Sequence, residues 1–183
     1  MPYTDLITHQ YQNSPKFLDW LEACLSPLED ASDCVEGLVA SFDIDTAVGY
    51  QQDILGQILG VSRVVNFQPT GSVSPILDDA TYRVLLKSSV LQNQWDGQIS
   101  SIELAWGSIL PGGHIFIQDN QNMTMTVSVT GAFSSMLIDL ITHGQIVPIP
   151  ESVGVNYVTG TAPFFGFDTD NAYIAGFDHG HWA

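Results

Sequence analysis

The chain has 183 residues, 20 acidic against 4 basic, and a formal net charge of −16. Its apolar fraction, 45%, is enough for an ordinary core, but only 13% of residues are charged, about half the usual fraction for globular chains. Such a composition excludes a disordered polyelectrolyte, and the length fits one domain, or one with a small satellite.

The four cations are Lys16, Arg63, Arg83 and Lys87, and none follows residue 87. A phosphate backbone is gripped mainly by Lys and Arg, so sequence-independent nucleic-acid binding is not expected, and anionic membrane surfaces are disfavoured for the same reason. No apolar run approaches the roughly 20 residues of a membrane span. The N-terminus, Met1-Pro2-Tyr3-Thr4-Asp5, has no basic region and no signal-peptide core, and the expectation is a soluble product of a cytoplasm. Cys24 and Cys34 make no disulfide framework and are expected as buried, reduced thiols.

Ser14-Pro15 reads as an N-cap followed by proline at the first helical position. Phe17, Leu18, Leu21 and Leu25 recur at helical spacing, and Pro27 is expected to end or kink this helix. A second helical stretch runs from about Asp30 to Ser41. Either Asp43 or Asp45 is expected to cap a third, with Ile44, Val48, Gln51 and Leu55 along one face and Gly60 as its stop. Residues 66–77 form a loop. Asp78 and Asp79 introduce a helix over 80–94, Trp95-Asp96-Gly97 breaks it, and a short helix over 100–110 follows, ended by Pro111-Gly112-Gly113.

The hydrophobic period then changes from 3.6 to 2. His114–Gln118 and Met123–Val129 alternate around the turn Asp119-Asn120-Gln121-Asn122, with Met123, Met125, Val127 and Val129 on the buried face. Phe133, Met136, Leu137, Leu140 and Ile141 form the stripe of a helix lying on that sheet, and Val153, Val155 and Tyr157 supply a third strand. The fold class is therefore α+β: a helical part over 1–110, a small β-β-α-β unit over 111–159, and an irregular aromatic and Gly-rich segment over 160–183.

That last segment repeats Gly-Phe-Asp at 166–168 and 176–178. It looks too irregular for a strand pair or a helix, and its rings need a surface to lie on. Phe164, Phe165, Phe167, Tyr173, Phe177 and Trp182 are the candidate partner-docking residues. His179 and His181 could reach one metal if the segment is extended, with Asp168, Asp170 and Asp178 near in sequence; two histidines alone are too few, and a solvated chain end explains them as well. No nucleophile–base pair, phosphate-cradling loop or His-Glu-x-x-His is present, so neither an enzymatic activity nor a cofactor is expected. His9 and His143 stand alone, and Trp95 and Trp106 read as packing residues rather than a sugar platform.

Three stretches taken together carry a resemblance. They are Phe42-Asp43-Ile44-Asp45-Thr46-Ala47-Val48-Gly49 continuing through Asp53-Ile54-Leu55-Gly56-Gln57-Ile58-Leu59-Gly60-Val61-Ser62-Arg63; Asp78-Asp79 with Tyr82-Arg83-Val84-Leu85-Leu86-Lys87 and Asn93-Gln94-Trp95-Asp96-Gly97; and Pro148-Ile149-Pro150-Glu151-Ser152-Val153-Gly154-Val155 with the closing Gly-Phe-Asp repeats. This combination, from about residue 40 to the end, resembles a family of tailed-bacteriophage structural proteins. Genes of that family lie between the J-like baseplate wedge protein and the tail fibre. The resemblance implies a non-enzymatic component of a contractile tail baseplate, located in the virion, with the wedge protein and the tail fibre as partners. A carbohydrate or receptor reader at the tail tip and a fibre-assembly chaperone are the alternatives, and self-association is left open.

Overall fold

Proline at the first helical position costs no hydrogen bond, because that N–H has no intrahelical acceptor. Pro15 uses this freedom to open α1, Pro15–Ser41, and Phe17 and Leu18 donate back to the Ser14 carbonyl at 3.0 Å. The computed structural model describes residues 6–110, 112–161, 163–167 and 171–182. The chain divides into two compact units, Met1–Gln51 and Gln52–Ala183.

In the first unit α1 is one continuous helix of 27 residues, not two. Pro27 lies inside it. Proline removes one hydrogen bond and frees the carbonyl four residues back; here that residue is Ala23, and both Ala23 and Pro27 are exposed, so water can satisfy the carbonyl. The expected capping by Asp43 is also corrected. Its side chain accepts from Asp45 N at 2.9 Å and its carbonyl from Ala47 N at 2.8 Å, which makes a turn rather than a helix start. Gly49, at φ +53°, completes that turn. The next helix, α2, therefore begins only at Tyr50 and runs to Leu59.

The second unit is α+β. Asp78 caps α3, Asp79–Gln94, by accepting from Ala80 N and Thr81 N, and α4 follows at Ile99–Ile109. Strands β1, Gly113–Asp119, and β2, Thr124–Gly131, pair antiparallel; α5, Ser135–Thr142, crosses over to β3, Gly154–Gly160, which pairs parallel to β2. The sheet order is β1-β2-β3, the β-β-α-β arrangement expected from the change of period. Register places Ile115 opposite Val129 and Ile117 opposite Val127, all four buried, with Met125 continuing the row. Met123 departs from the expectation: it lies in the turn at φ +64° and is exposed.

Helices α3, α4 and α5 complete the core through Tyr82, Leu86, Ile102, Trp106, Leu140 and Ile141. Trp106, 1% exposed, donates from Nε1 to the Ile146 carbonyl at 2.7 Å, and Gln92 Nε2 reaches the same carbonyl at 3.0 Å. Helix α4 packs on β1, and Glu103 accepts from Ile117 N at 3.1 Å, which occupies a backbone donor on an edge strand. Asp139 on α5 accepts from Thr70 N and Oγ1 at 2.7 and 2.8 Å and so ties down the 66–77 loop. No helix among the described residues is long and apolar enough to cross a membrane.

Candidate docking surfaces

Strand β2 is buried on both faces toward its end, since Ser128 and Thr130 are buried as well as Val127 and Val129. Alternation alone would leave those polar residues in water. The C-terminal segment accounts for the difference. The rings of Phe164 and Phe116 meet edge to face at 6.1 Å, and Tyr173 lies 5.3 Å from the His114 ring. Phe116 and His114 sit opposite Ser128 and Thr130 in the ladder. Part of the surface the aromatic segment needs is thus the outer face of its own sheet.

The segment also contains the strand pair that its sequence did not suggest, though of minimal length. Phe164–Phe165 (β4) runs parallel to Ile174–Ala175 (β5), and His181 bridges to Phe164. Gly180 packs so closely that a Cβ there would meet the Ala175 carbonyl and Phe165 Cα. The six docking candidates therefore separate into two groups. Phe164 is buried and Tyr173 half-buried against the sheet. Phe165, Phe167, Phe177 and Trp182 form one cluster, with ring centroids of Phe167, Phe177 and Trp182 at 4.9, 4.7 and 4.5 Å from Phe165. Phe167, Phe177 and Trp182 are 71%, 78% and 78% exposed. Three large rings so exposed in one patch are unusual on a free surface.

His179 lies in a turn, with its N–H donating to the Gly176 carbonyl at 3.2 Å, whereas His181 is held by the bridge. The extended geometry that would aim both imidazoles to one side is absent. Among the described residues no three His, Cys, Asp or Glu side chains gather in a way that could hold a metal ion; Asp168 and Asp170 lie outside those residues. His143 is held by a 2.7 Å contact between Nδ1 and the Asp139 carbonyl and stacks on Phe67 at 3.9 Å.

A second surface lies on α1. None of its residues is buried, and Trp20, Leu28, Val35, Leu38 and Val39 are all more than half exposed. Phe17, Leu21, Cys24, Leu28, Ala31, Val35 and Leu38 follow an unbroken 4-3 spacing, the seam of a heptad. The flanking positions Leu18, Trp20, Leu25, Cys34 and Val39 are also uncharged, which makes the apolar face broad. All six acids of the helix, Asp19, Glu22, Glu29, Asp30, Asp33 and Glu36, stand on the remaining side. Both cysteines, expected in a core, are exposed on this helix. Dividing the segment at Pro27 hides the seam; the 4-3 spacing carried across the proline is the signal that reveals it.

The most polar constellation in the second unit is structural. Arg63 donates from Nε to Asp53 at 2.5 Å and from Nη1 to Asp79 at 2.7 Å and the Leu77 carbonyl at 3.2 Å; its Cζ sits 4.5 Å from the Tyr82 ring centre. Burial, the largest single influence, lowers the Arg63 pKa, but hydrogen bonds and charge from Asp53 and Asp79 together outweigh it and hold the guanidinium above its ordinary value. The group fastens α2 to the start of α3 and is satisfied by its own neighbours.

Each unit thus presents apolar surface, the α1 seam in the first and the ring cluster in the second. The family described as bacteriophage baseplate wedge 1 protein matches residues 3–74 and 70–157. The chain belongs to this family, which makes it a component of the phage baseplate and hence of the virion, associated with other baseplate proteins. The match includes α1, a region that contributes little to the resemblance visible by inspection, and stops before the ring cluster. No curated protein matches the chain.

Proposed function

We propose that this baseplate component is a non-enzymatic adaptor that links the wedge to the tail fibre, with the exposed ring cluster as the contact toward the fibre. The observation that carries the reading is the patch formed by Phe165, Phe167, Phe177 and Trp182. Aromatic residues in compact patches are the usual anchors of protein interfaces. The cluster lies beyond the family match, where a contact particular to one phage's fibre would be placed. Residues 88–183 contain no Lys or Arg, so few charges need be desolvated when this half is covered.

The test is complementation of a phage lacking this gene with Phe167→Ser/Phe177→Ser/Trp182→Ser. The expected result is baseplates that contain the variant protein and lack fibres. Normal fibre occupancy would show that the cluster is not the connector. Failure of a folded variant to enter baseplates would show that the cluster faces the wedge instead.

A further inference from the structure

We propose that α1 docks into an apolar helical groove of a different baseplate subunit, and that the rim of this groove carries Lys or Arg at a seven-residue period facing Glu22 and Glu36. This surface is separate from the ring cluster, and the proposal stands whether or not that cluster binds the fibre.

The helix is about 40 Å long at 1.5 Å per residue. Among the described residues of its own unit there is no second long element to cover an uncharged face that follows the heptad for three repeats. Charge selects the occupant. Six acids and one lysine lie on α1. A second copy would place its carboxylates on the outer sides of the pair, so the opposition to pairing comes chiefly from the net charge of −16 on each chain. A basic rim, by contrast, is attracted to the acids at the margin. Glu22 and Glu36, two heptads apart, stand beside the margin formed by Leu18, Leu25 and Val39, where a partner's cations would reach them. A two-stranded coil places charged residues at the positions flanking its seam; here those positions are uncharged, so a groove wider than one helix is the complementary shape.

The two cysteines of the chain, Cys24 in the seam and Cys34 beside it, give a direct readout. Maleimide labelling of the full-length protein is compared free and in assembled baseplates, and Glu22→Lys/Glu36→Lys is scored for incorporation. The expected results are a monomer with both thiols reactive, loss of Cys24 labelling in baseplates, and incorporation of the charge-reversed protein reduced about tenfold with its helix content unchanged, the scale of two rim charges turned repulsive. Equal Cys24 labelling in free and assembled protein would overturn the proposal. So would protected thiols in the free monomer, which would mean that the chain covers α1 itself. Self-association of the unaltered free protein with loss of Cys24 labelling would assign the seam to a second copy.

Discussion

Arg63→Ala tests whether one cation organises the helical side of the second unit. The guanidinium side chain is 16% exposed, and its carboxylate partners Asp53 and Asp79 are 35% and 42% exposed. Charge-assisted hydrogen bonds are worth about 1.5–3 kcal/mol when buried; water can replace these two partially, so about 0.5–1 kcal/mol each is the appropriate scale. The bond to the Leu77 carbonyl contributes about 1 kcal/mol and the Tyr82 ring about 0.5–1 kcal/mol. The substitution should therefore cost about 3 kcal/mol, a large fraction of the 5–15 kcal/mol typical of a domain. Arg63→Lys keeps the charge but not the fork that spans two carboxylates, and should cost about half as much. Urea denaturation followed by tryptophan fluorescence measures both, and the double variant with Asp53→Asn gives the pairwise coupling. A cost below about 1 kcal/mol for Arg63→Ala, or equal costs for Ala and Lys, would refute the assignment of Arg63 as the organising group.

Trp106→Phe removes a buried ring edge and one donor to Ile146, but Gln92 still donates to that carbonyl. The expected loss is about 2 kcal/mol in the same denaturation assay, with the fold retained by circular dichroism. Asp78 has its pKa held below the ordinary carboxylate value, first by the Thr81 hydroxyl and then by the backbone N–H groups of Ala80 and Thr81. Because the folded value is the lower one, its contribution is complete above the unfolded pKa near 3.8 and is lost as pH falls through the folded value. Asp78→Asn should flatten this part of the acid limb of a stability–pH profile and leave a helix that is still capped; an unchanged acid limb would contradict the capping geometry.

Local signals read correctly where the partner of each group is near in sequence. The Asp78 cap, the chain reversal between β1 and β2 and the Met136, Leu137, Leu140 and Ile141 stripe of α5 all depend on residues within a few positions of one another. Misreadings arose where water or a distant segment supplies what local rules count as missing. Pro27 signals an end or a kink because it withdraws the donor for the Ala23 carbonyl, but that carbonyl is exposed and the helix continues. Cys24 and Cys34 are expected to be buried because free thiols usually are, yet both lie on the exposed α1. The Asp43–Gly49 stretch has helical spacing, but side-chain-to-backbone bonds at Asp43 and Gln51 and the positive φ of Gly49 favour a turn. In the C-terminal segment, nothing local separates Phe164 and Tyr173 from Phe165 and Phe177. The distinction is made some 50 residues away in sequence, by His114 and Phe116 on the outer face of β1.

Two exposed apolar surfaces on one small subunit would ordinarily promote self-association. The charge distribution opposes this in a different way at each surface. At α1 the acids lie on the same helix as the apolar face, so contact with another acidic helix is penalised and a basic groove is favoured. At the ring cluster the opposition comes from Asp178, next to Phe177 in sequence, with no Lys or Arg in residues 88–183 to offset it, and from the −16 on the chain as a whole, which acts over a distance of about a Debye length. On the two proposals above, charge disfavours a second copy at either surface, and shape, compact rings at one and a long seam at the other, separates the partners.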